Sequence, residues 1–219
     1  MLITLKFCKW VKPQNVSFVI LMLQFCVIFG QQKVIVIDPG HGGKDTGAIG
    51  ANSIQEKSVA LSIAKEIIRL NKTLLNEKLE MYLTRYKDTL ISLSDRSRLS
   101  KTLKADIFVS IHCNASNTSS RGIDIYVHNA NNKEVHIKES IAMGLSILEE
   151  STLKLGFNKR GIQFANFQVL RENITYRPSI LIEMGFVTNI DEADYFLASK
   201  NIRAMALAVL MGVNNYLNI

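Results

Sequence analysis

A chain of 219 residues with 47% apolar and 21% charged residues can bury a core of its own, which excludes an intrinsically disordered polymer. Its formal charge is +7, but Lys6, Lys9 and Lys12 stand near the N-terminus with no acid among the first 30 residues. The remainder holds 23 basic against 19 acidic groups, a mild +4 that suits an anionic polymer. No run of Lys and Arg interleaved with aromatics occurs, so nothing points to a nucleic-acid partner.

The first 30 residues read as a targeting segment. Met1 to Lys12 is basic, and Ser17 to Phe29 is an uncharged apolar run of 13 residues closed by Gly30. That is shorter than the ~20 residues a membrane-spanning helix needs. Residues 1–30 are therefore expected to be a secretion signal, with a retained N-terminal anchor as the other reading, and 31–219 to be one functional domain. Phe25 before Cys26 is too bulky for a lipoprotein signal. Cys113 is the lone cysteine after the signal, so no internal disulfide framework is expected. An exported, periplasmic or envelope-associated monomer follows.

Val34 to Asp38 (VIVID) is a continuous β-branched run, as in a strand buried on both faces. Pro39-Gly40-His41-Gly42-Gly43 ends it. Glu56 opens a helical pattern with Val59, Ile63, Ile67 and Leu70 on one side. Leu79 to Thr84 alternates like a strand, and Ser92 with Asp95 looks like an N-cap leading a helix through Arg96 to Lys104. Ile107 to His112 and Ile123 to Val127 read as strands. Glu134 to Leu153 reads as a helix with Ile137, Ile141, Leu145 and Leu148 inward. Ser179 to Glu183 is again strand, and Asn201 to Leu217 a closing amphipathic helix. Strands alternating with helices predict an α/β, three-layer sandwich with a largely parallel central sheet flanked by helices.

Three polar residues fall at the carboxyl ends of predicted strands: His41 after VIVID, His112 after IFVSI and Glu183 after SILI. Glu56 begins the helix that follows the first strand. Ligands in open α/β sheets gather in the crevice at those strand ends. Two histidines and one carboxylate, with a position left for water, form the ligand set of a catalytic zinc site. A second carboxylate off the metal would carry the proton of a hydrolysis. Glu183 directly after Ile-Leu-Ile would be costly to bury without a purpose. His128 and His136 could replace a ligand but lie in less direct positions, and both are expected to be solvated. Gly43-Lys44 faintly resembles a phosphate loop. Asp38 and Asp45 stand where that motif wants Gly and Ser or Thr, and no helix follows at once.

Read as phrases, the chain resembles the zinc-dependent N-acetylmuramoyl-L-alanine amidases of the type-3 amidase family, which act on peptidoglycan. The matching blocks are VIVIDPGHGGKDTGAIG at 34–50, EKSVALSIAKEI at 56–67, YLTR at 82–85 and LSDRSRLSKTLKADIFVSIHCNAS at 93–116. GIDIYV at 122–127, RGIQFANFQVLREN at 160–173 and PSILIEMGFVTN at 178–189 complete them. The resemblance implies that His41, Glu56 and His112 bind one zinc ion and that Glu183 is the catalytic carboxylate. The implied substrate is the amide between the lactyl group of N-acetylmuramic acid and L-alanine of peptidoglycan, cut for wall remodelling or daughter-cell separation. Asn114 is a substrate-side candidate, with Asp38 and Arg171 behind it.

Cys113 departs from the family's usual Ala. Neighbours along a strand face opposite ways, so it is expected to be buried and unligated beside His112. Some relatives carry a long inserted helix that blocks the zinc after the segment matching GIDIYV. Here six residues, 128–133, fill that interval, so an open site is expected. A wall-binding module without chemistry and a zinc peptidase remain the competing readings.

Overall fold

The structure is a computed structural model that describes residues 32–116, 119–129 and 136–218. The expected signal or anchor at 1–30 lies outside the described residues, as do 130–135 of the short interval after GIDIYV. Six strands form one sheet: β1 (Val34–Pro39), β2 (Glu80–Leu83), β3 (Ile107–Asn114), β4 (Ile123–His128), β5 (Lys159–Ala165) and β6 (Ser179–Phe186). Their spatial order is β2-β1-β3-β6-β4-β5. Neighbours run parallel except β4 against β6, so β4 and β5 point opposite to the other four.

Helices α1 (Glu56–Leu74), α2 (Leu93–Thr102), α3 (Ile137–Leu155), α4 (Gln168–Arg171), α5 (Ile190–Leu197) and α6 (Ser199–Leu217) complete the expected three layers. The larger core joins α1, α3 and α6 to one face through Ile63, Ile111, Ile147, Ile182 and Val209, all fully buried. On the other face Val36, Phe108 and Leu181 pack with Ala105, Val169 and Leu170. The Ser92 cap is real, its side chain accepting from the Asp95 N–H.

Two expectations need correction. Of the residues expected to face inward on α3, Leu148 is buried and Ile137 and Ile141 pack against the core, but Leu145 is 44% exposed; Ser140, Met143, Gly144, Ile147 and Ser151 complete the buried stripe. A Cβ on Gly144 would come within 3.0 Å of Ile125 and Ile162, so the helix approaches the sheet closely at this position. His128 is also buried, at 6% exposure, because the unforeseen β5 pairs Ala165 beside it and closes that flank of β4. His136 is half-buried just ahead of α3. Besides β5, the short α4 and α5 were not legible from periodicity.

Candidate metal centre

β1, β3 and β6 end at one rim, and the register there aligns the reactive groups. His112 pairs across with Glu183, and Asp38 of β1 pairs with Ser110 of β3. Register partners share a face, so His112 and Glu183 project on the same side, with Asn114 two residues beyond His112. Glu56, in the first turn of α1, reaches in from the connection after β1.

The donor atoms of His41, Glu56 and His112 all lie within 4.8 Å of one another. Glu56 Oε1 is 3.0 Å from His41 Nε2 and 2.8 Å from His112 Nδ1, and it accepts the Cys113 N–H at 3.1 Å. Its Oε2 accepts the Ala48 N–H at 2.9 Å. Burial would raise the Glu56 carboxyl, but the two imidazoles and the backbone N–H outweigh it and hold the group well below the usual carboxylate range. His41 Nδ1 lies 2.9 Å from Asp45 Oδ2. A carboxylate can only accept, so Nδ1 donates to Asp45, which fixes the ring and turns Nε2 toward the cluster. Burial lowers the basicity of His41, while Glu56 and then Asp45 raise it above its ordinary value.

Glycines make this convergence possible. A Cβ on Gly40 would fall 2.3 to 2.7 Å from the His112 ring, and one on Gly47 2.5 Å from Glu56 Oε2. His41 itself has φ 59°, a left-handed conformation that costs on the order of 1 kcal/mol in a non-glycine residue. Two buried arginines hold the loop there. Arg96 donates to the carbonyls of Pro39 and His41 at 2.7 and 2.8 Å, and Arg85 to those of Pro39 and Gly40 at 3.0 and 2.7 Å. Two imidazole nitrogens and one ionised carboxylate oxygen, preset by an orienting acid and a tight glycine cradle, fit a divalent metal ion.

Glu183 is half-buried, and its enclosed Oε2 has no hydrogen-bond partner. Burial raises its carboxyl to about 7; the nearby carboxylates of Glu56 and Asp124 reinforce the rise, and His112 opposes it. His41, Glu56, His112, Asn114 and Glu183 line one cleft of about 880 Å³, with walls from Leu90–Leu93 and Phe167–Val169.

The other candidates have different places. Asp38 is 1% exposed and accepts from Arg96, Thr84 and Ser110 at 2.7, 2.6 and 2.8 Å, so it braces the loop. Arg171 is exposed and donates to Asn166. Cys113 is buried in the larger core, as alternation requires, and burial drives its thiol far up. Sequence reasoning missed Asp45, Arg85 and Arg96. The tight HGGKD run could have suggested Asp45, but nothing local marks an arginine that folds back under a distant loop.

The profile of the family Amidase_3, N-acetylmuramoyl-L-alanine amidase, matches residues 35–215. N-acetylmuramoyl-L-alanine amidase CwlM of Bacillus licheniformis is 36% identical over 188 residues, covering 84% of this chain and 69% of that protein. The catalytic domain of CwlV, an N-acetylmuramoyl-L-alanine amidase from Bacillus (Paenibacillus) polymyxa var. colistinus, superposes with a TM-score of 0.76. It is 34% identical, over 86% of this chain and 99% of that one. An N-acetylmuramoyl-L-alanine amidase from Clostridium difficile 630 gives a TM-score of 0.77 at 32% identity, over 86% and 98% of the two chains. A match over nearly all the described residues makes this chain a member of the N-acetylmuramoyl-L-alanine amidase family.

Proposed function

We propose that the chain hydrolyses the bond between N-acetylmuramic acid and L-alanine with one zinc ion held by His41, Glu56 and His112, and with Glu183 as the proton carrier. The observation that carries this reading is the meeting of three donor groups, from the loop after β1, from α1 and from β3, beside the cross-strand carboxylate of Glu183. Bound zinc supplies Lewis acidity, polarising a carbonyl and making a water acidic near neutral pH. Asp45 keeps His41 in the tautomer that presents Nε2. The low proton affinity of Glu56 keeps it an anionic ligand across the physiological range.

Glu183, whose carboxyl burial raises before any ion is bound, takes a proton from the attacking water and returns it to the leaving nitrogen. Its enclosed, unpartnered Oε2 is the atom available for that proton. Asn114 at the cleft offers an amide to the substrate. Residues 1–30 act as the export signal or anchor, and the mature monomer works in the cell envelope on wall remodelling or daughter-cell separation.

The test is digestion of purified peptidoglycan with and without a chelator. Stem peptides with a new L-alanine amino terminus, lost on chelation and restored by zinc, are expected. Fragments cut inside the stem peptide, or release indifferent to the chelator, would overturn the proposal.

A further inference from the structure

Beyond Glu183 the reactive rim continues onto the two reversed strands. Asp124 of β4 pairs with Glu183, and Gly161 of β5 pairs with Asp124 across an irregularity that sets Arg160 out of register. Tyr126 links Leu181 of the cleft wall to Gln163 of β5, so Gln163 shares the face of His112 and Glu183. A second hollow of about 590 Å³ opens there, lined by Arg121, Asn158, Lys159, Arg160 and Gln163.

Its charge is sorted by depth. The nearby acids are buried, Asp124 at 1% and Glu192 at 7% exposure, whereas Arg121, Lys159 and Arg160 are exposed. Arg160 is also fixed. Its Nε donates to Asp124 Oδ2 at 2.6 Å, and its guanidinium carbon lies 5.0 Å from the centre of the Phe186 ring. An arginine held through Nε and one face leaves its terminal nitrogens preset for a two-pronged grip on a carboxylate.

Resting on the amidase reading, we propose that this hollow is a carboxylate-binding subsite, with Arg160 as anchor and Arg121 and Lys159 as flanking cations, for an acidic residue of the substrate's peptide. Neighbouring strands are about 5 Å apart, so β5 lies roughly 10 Å past β6 and roughly 14 Å past β3. An extended peptide advances about 3.5 Å per residue, which brings the third or fourth residue after the scissile amide to the hollow. The subsite therefore favours stems that carry a free carboxylate at that distance over stems in which it is amidated.

Two synthetic muramoyl tetrapeptides test this, one with every carboxylate beyond the second residue free and the other with each converted to carboxamide. The wild-type chain is expected to favour the acidic substrate about tenfold in kcat/KM, with the difference carried by KM. Arg160→Gln should bring that ratio close to one. Arg121→Gln and Lys159→Gln, which break no buried pair, should each reduce it about twofold. A ratio unchanged in all three variants, or a wild type with no preference, overturns the subsite while the amidase reading stands. So does an Arg160→Gln effect equal on both substrates with the other two variants silent, since Arg160 would then serve only the fold. A wild type that cleaves neither substrate overturns the amidase reading and the subsite with it.

Discussion

Glu183 shows how a single carboxyl couples chemistry to stability. Its native proton affinity is raised from 4.5 to about 7 by burial, so the native state binds a proton more tightly than the unfolded chain between those values. The stabilisation is complete below about pH 4.5 and is lost as pH rises through 7. Glu183→Gln should therefore raise the melting temperature of the metal-free protein at pH 8, by up to about 3 kcal/mol in stability, and change little at pH 4. Turnover should be lost while zinc is retained. Equal melting shifts at both pH values would contradict the assigned cause. Gly40 gives the steric counterpart. Gly40→Ala must move the His112 ring by more than half an ångström, and a hundredfold loss in kcat/KM is expected in the digestion assay. His41, Glu56, His112 and Glu183 were all legible in the sequence because strand ends and a helix start are local signals. Asp45 and the arginines were not, because their meaning lies in partners brought near by folding.

Among the elements, the loop after β1 depends on helix α2 as well as on its own glycines. Arg96 joins α2 to Asp38 and to the carbonyls of Pro39 and His41, all at 2.7 to 2.8 Å. Arg96→Met would leave Asp38 charged, buried and short of its main partner, at a cost of about 3–5 kcal/mol in urea unfolding. Adding Asp38→Asn should return part of that loss, since the two groups act as one unit. Strong periodicity made β1, α1, β3, β6 and α6 readable. β5 escaped because its exposure is mixed along its length and it carries Gly161 and an irregular register at its start. On α3 only Leu145 departs from the expected inward face, lying beside the small residue that approaches the sheet most closely. Gly144 has no side chain to announce how close the sheet comes.

At the scale of the whole molecule, one layered domain brings residues 41, 56, 112 and 183 together, so the centre depends on the entire sheet. Purified residues 32–219 supplied with zinc are expected to release stem peptides without any added partner. Activity that appears only after an activator is added would contradict that. The reversed course of β4 bears on this expectation. Asp124 stands near the start of the strand beside Glu183, whereas His128 closes it four residues later, about 14 Å away at the far edge of the sheet. β4 thus ends at the edge of the sheet remote from His41, Glu56 and His112. Any plug grown from that exit would first have to climb the full height of the sheet before it could stopper the reaction chamber.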